Sequence, residues 1–127
     1  MRHLKIAIVM LAASSAALCG CTGGQQPRSY TVLTGGYAHR GKQLVVLYRC
    51  GSCHTIPGIP DAHGVFGPPL TKIAGRGFIA GNFPNAPETL THWIMNPQSM
   101  KPKTAMPDLG VTEQQARDIT AYLETLR

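Results

Sequence analysis

Helical spacing of apolar residues is clearest near the C-terminus. Ala116, Ile119, Leu123 and Leu126 fall on one stripe, with Tyr122 beside it, as in an amphipathic helix. Thr112 stands ahead of the stripe with Gln115 three residues on, the reciprocal pairing of a capping box. Leu44, Leu47 and Tyr48, at i, i+3 and i+4, predict a second helix over residues 39–49. Residues 89–95 predict a short helix, with a smaller one around 70–74. Residues 55–69 hold four prolines and three glycines and predict loop. No stretch alternates convincingly with period two, so the expected class is all-α.

The N-terminus has a different pattern. Arg2, His3 and Lys5 precede an apolar run over residues 6–18. These thirteen residues are too few to span a bilayer as a helix, so the pattern reads as a secretory signal. It ends in Leu18-Cys19-Gly20-Cys21, which resembles a bacterial lipobox. The expectation is a signal peptide over 1–20, removed to leave a lipidated Cys21. Residues 21–36, rich in Gly, Gln, Ser and Thr, read as a flexible tether, with Tyr30-Thr31-Val32-Leu33 open as a short extended piece packed on the body. The domain is expected over 37–127.

The chemistry lies in Cys50-Gly51-Ser52-Cys53-His54. Two cysteines two residues apart, followed at once by histidine, form the attachment signature of a c-type haem. Each thiol adds across one vinyl group, and the adjacent imidazole falls under the iron. A bare C-x-x-C also occurs in redox dithiols and zinc sites. Zinc would need two more ligands, and the remaining cysteines, Cys19 and Cys21, lie in the leader. A thioredoxin-like dithiol would follow a strand and open a helix, whereas here a helical stretch precedes and Pro/Gly-rich chain follows. The expected cofactor is therefore haem c, covalently held by Cys50 and Cys53, with His54 as an axial iron ligand. The haem also supplies apolar surface that so small a domain lacks.

Loss of Arg2 and Lys5 with the leader lowers the formal charge from +6 to +4. That excess fits docking to an acidic partner, and equally fits cations placed near haem carboxylates. It is too small to argue for nucleic acid. For the second axial ligand, Met95 sits at apolar spacing beside Trp93 and reads as core. Met100 and Met106 both lie in the Pro-rich stretch 96–107, and spacing alone leaves both open. His63 and His92 are the rival histidines.

From residue 41 onward the chain resembles the class I cytochromes c. Gly67-Pro68-Pro69-Leu70 followed by Gly75-Arg76 is similar to the family's GPxL and GR segments. Trp93 falls where many members have tryptophan, and Pro102-Lys103-Thr104-Ala105-Met106-Pro107 is similar to the PxTxMP ligand loop. The interval from Gly41 to Cys50 is slightly longer than in many members. The resemblance implies three to five helices around one covalent haem, with Met106 as distal ligand. It implies that the Pro68 carbonyl accepts the His54 ring N–H, and that Arg76 and Trp93 meet a haem propionate. It is also similar to lipid-tethered carriers and to haem domains associated with respiratory oxidases. A single-electron carrier, not an enzyme, is then expected at the periplasmic face of a bacterial membrane, with an oxidase or dehydrogenase as partner. An iron left open by Met106 would instead make a ligand sensor or a peroxidase-like protein. No distal histidine–arginine pair is apparent to support peroxidase chemistry.

Overall fold

A computed structural model describes residues 30–31 and 33–127. Cys21, the apolar run 6–18 and most of the expected tether lie outside the described residues. Two short strands, β1 (Tyr30–Thr31) and β2 (Gly36–Tyr37), form an antiparallel hairpin that leads into α1 (Ala38–Leu47). A 3₁₀ turn at Cys50–Ser52 follows, then loop, then a second 3₁₀ turn at Ile73–Gly75. A second hairpin pairs β3 (Phe78–Ile79) with β4 (Phe83–Pro84). The chain closes with α2 (Pro87–Met95), α3 (Pro97–Met100) and α4 (Glu113–Leu123).

The capping box forms as expected. Thr112 Oγ1 accepts from the Gln115 amide at 3.4 Å, and Gln115 Oε1 accepts from the Thr112 amide at 2.9 Å. Gln115 Oε1 also accepts from Tyr48 Oη at 2.9 Å, tying the start of α4 to the end of α1. Ala116, Ile119, Tyr122 and Leu123 are buried along the predicted stripe. They pack with Val45 of α1, Leu90 and Ile94 of α2, and Ile56, Ala62 and Ile73 from the loops.

The α1–α4 crossing is closer than side chains allow. A Cβ on Gly41 would lie 1.9 Å from the carbonyl oxygen of Asp118, so only glycine lets the two backbones meet. Glycine inside a helix costs roughly 1 kcal/mol relative to alanine, and this contact is what requires it. Asp118, just 3% exposed, sits beside the same crossing. Its carboxylate accepts from the Tyr37 amide and from Arg40 Nη2, both at 2.8 Å, and Arg40 Nε lies 2.8 Å from the second oxygen. Arg40 also stacks 4.2 Å from the Tyr37 ring centroid. Between α2 and α4, the buried hydroxyls of Thr91 and Thr120 hydrogen-bond at 3.0 Å.

The expected tether ends before Gly36. Thr34 is 2% exposed, its carbonyl accepts from Arg117 at 3.3 Å, and the Gly35 carbonyl accepts from Gln114 at 3.1 Å. These residues belong to the packed body because α4 offers donors to backbone groups that composition alone marks as loose. Two further differences concern short elements. The helix expected around 70–74 is a 3₁₀ turn displaced to Ile73–Gly75, and α2 opens two residues early because Pro87 fits a first helical turn. The hairpins and α3 are too short for any periodicity to announce.

Candidate haem site

The end of α1 sets up the attachment motif. Arg49 adopts a left-handed conformation (φ 54°), which stops the helix and turns the chain into the 3₁₀ turn at Cys50. The Cys53 and His54 amides both donate back to the Cys50 carbonyl, at 3.2 and 3.0 Å. Both cysteines are free and partly buried. Burial pushes the Cys50 thiol up to about 11, so it stays protonated at neutral pH.

The following loop closes against this turn through its backbone. The Gly64 amide donates to the Gly51 carbonyl at 3.0 Å, Gly67 to Cys53 at 2.8 Å, and Leu70 to Thr55 at 2.8 Å. Thr55 Oγ1 adds a bond to the Gly64 carbonyl at 3.1 Å. His54 Nδ1 lies 2.8 Å from the Pro68 carbonyl oxygen. A carbonyl only accepts, so Nδ1 carries the proton and Nε2 keeps its lone pair for a metal. The ring lies flush on Gly67, where a Cβ would stand 2.3 Å from His54 Cε1.

The remaining candidates lie later in the chain. Arg76 Nη2 donates to the Pro69 carbonyl and, at 3.1 Å, to the Thr71 carbonyl, so it braces the Pro68-Pro69-Leu70 loop behind His54. Asn85 Nδ2 donates to the Ile73 and Arg76 carbonyls at 2.8 and 3.0 Å, extending the brace. Trp93 is half-buried against the core, its ring centroid 6.2 Å from that of Phe83. Met95 packs on the core as expected. Met106 is half-buried in the loop before α4, and Met100 is half-buried on α3. His63 and His92 are both exposed.

Sequence reasoning missed Gln98. Its Nε2 donates to the carbonyls of Thr104 and Met106, at 2.7 and 2.8 Å. A glutamine one residue after Asn96-Pro97 gives no local sign of a partner eight residues away.

These residues fit a haem. Two thiols, an imidazole with a free Nε2 and a methionine thioether are the donor set that haem c requires. Large apolar side chains also stand uncovered beside them in sequence. Val65 and Phe66, 85% and 89% exposed, immediately precede Gly67, and Leu109, 41% exposed, follows Met106. Apolar surface of that kind is what a flat macrocycle covers.

Comparison with known proteins agrees with this chemistry. The family model described as Cytochrome c matches residues 38–127. A cytochrome c oxidase subunit 2 from Alkalihalophilus pseudofirmus is 34% identical over 91 residues, covering 71% of this chain and 26% of that protein. The chain thus spans about a quarter of that relative's length. A cytochrome c from Ginkgo biloba is 31% identical over 87 residues, covering 60% of this chain and 77% of that protein. With its attachment motif, its helices and a family match over residues 38–127, the chain belongs to the cytochrome c family, electron carriers that hold a covalently attached haem c.

Proposed function

We propose that this protein carries single electrons at the periplasmic surface of a bacterial membrane, anchored by lipid on Cys21 and exchanging electrons with a respiratory complex. The observation that carries the redox part is the 2.8 Å contact from His54 Nδ1 to Pro68 O. It leaves Nε2 free on an imidazole whose neighbouring thiols, Cys50 and Cys53, would hold the haem. When bound, haem c supplies a one-electron ferric/ferrous couple. His54 and Met106 would hold the iron, Pro68 would keep the His54 tautomer, and Arg76 would hold the Pro68 loop in place. The soft thioether of Met106 would favour the ferrous state and raise the potential.

The membrane assignment is supported by the lipobox-like Leu18-Cys19-Gly20-Cys21. More than one acyl chain holds a protein firmly at a membrane, and confinement there raises the effective concentration of carrier near membrane complexes. The likeness to an oxidase subunit 2 supports an oxidase as the partner.

Measurements of the haem and of the anchor test this reading. The matured protein should give a low-spin reduced spectrum that added CO does not move; a CO-sensitive high-spin spectrum would point to ligand sensing or peroxide chemistry instead. Mass spectrometry of the N-terminal peptide should show acylation at Cys21, and Cys21→Ser should release the cytochrome from membranes. Release should slow its oxidation by oxidase-containing vesicles, while a rate indifferent to anchoring would count against the membrane role.

A further inference from the structure

The distal loop lacks main-chain support. From residue 105 to 111, among the described residues, the backbone exchanges no hydrogen bond with other backbone groups. Among the described residues, hydrogen bonds from Gln98 are the main closure of the loop. Pro97, fully buried at the first position of α3, anchors that turn and leaves Gln98 half-buried and facing the loop. The Gln98 amide nitrogen carries two N–H groups, and it meets two carbonyls, Thr104 at 2.7 Å and Met106 at 2.8 Å. Both partners are acceptors only, so the donor end of the amide must face them. The Gln98 backbone amide adds a 3.3 Å bond to Asp108 Oδ1, catching the loop again two residues beyond Met106.

We propose that Gln98 is a positioning residue for the distal ligand: its amide clamps the Met106 loop and sets how often Met106 swings away. This rests on Met106 being the axial ligand. A small external ligand competes with Met106 for the same face, so its apparent affinity scales with the fraction of molecules whose loop is open. Loss of two net hydrogen bonds of roughly 1 kcal/mol each should multiply that fraction about 30-fold.

The test uses the haem-loaded protein and added imidazole. Gln98→Met keeps the length of the side chain without its donors. It should raise imidazole affinity about 30-fold and weaken the far-red band of methionine-ligated ferric haem. Gln98→Glu turns acceptor oxygens toward two carbonyls and should raise the affinity further. Ile94→Ala, a core truncation, is the control for general loosening: it should lower the melting temperature with imidazole affinity nearly unchanged. Wild-type imidazole affinity in both Gln98 variants would overturn the proposal. So would an Ile94→Ala protein whose affinity rises as much as theirs for the same loss of melting temperature. Should the far-red band survive in Met106→Ala, the ligand assignment itself fails, an outcome distinct from failure of the clamp.

Discussion

The two sides of the site are held by different means. On the His54 side, three backbone hydrogen bonds join the attachment turn to the loop over residues 64–70, and the ring sits on a glycine with no room for a Cβ. On the Met106 side the loop is caught mainly by Gln98, with Lys101 Nζ reaching the Ala80 carbonyl at 2.8 Å. Backbone ladders are short and cooperative, whereas a side-chain clamp depends on rotamers that can be left for a few kcal/mol. On the proposed ligation, the Cys50 and Cys53 attachments and His54 would have to stay fixed, while Met106 would need only to be present most of the time.

Breaking the distal side should have the largest effect. Met106→Ala is expected to abolish the far-red ferric band and let CO bind the reduced protein, while Met100→Ala keeps the wild-type spectrum. The reverse result would move the ligand to α3. On the proximal side, Gly67→Ala forces a methyl against the imidazole and should cost about 1–3 kcal/mol. Chemical denaturation of the holoprotein measures it, and a shift in reduction potential would show that the Pro68 bond went with it. Arg76→Met removes the brace from Pro69 and Thr71, two exposed bonds, and should cost about 1 kcal/mol. If its potential shifts with little loss of stability, Arg76 acts on the haem charge, as the family resemblance implies, more than on the loop.

The smallest expected effect runs the other way. Lys103 holds φ 66° in the Met106 loop, a left-handed conformation that costs a side-chain-bearing residue roughly 1–2 kcal/mol. Lys103→Gly should therefore stabilise the loop by about 0.5–1 kcal/mol, after the entropy that glycine loses on folding. Imidazole titration should show slightly weaker binding, and a stronger one would mean that the Lys103 side chain itself supports the closed loop.

How much of this was legible depends on the range of each interaction. The capping box of Thr112 and Gln115, the buried stripe of α4 and the C-x-x-C-H motif are complete within one or two turns of chain, and each was readable as written. Family likeness carried the reading further, to Pro68 opposite His54, which the 2.8 Å contact matches. It also pointed Arg76 and Trp93 at a propionate, while the structure shows Arg76 on loop carbonyls and Trp93 beside Phe83.

Other features left no trace in the pattern. Asp118 is a charge on the buried face of α4, and nothing near it in sequence announces that Arg40 and the Tyr37 amide, about eighty residues earlier, neutralise it. Gly41 and Gly67 look like two of fourteen glycines until the Asp118 carbonyl and the His54 ring are brought against them. The sequence alone thus determined the longer helices, α1, α2 and α4, and the cofactor chemistry, because periodicity, capping and thioether attachment act over a few residues. The tertiary structure decided which glycines are irreplaceable, where the buried carboxylate is paired and what closes the distal loop. Those depend on which distant backbones come within hydrogen-bonding distance, and only the folded chain sets that.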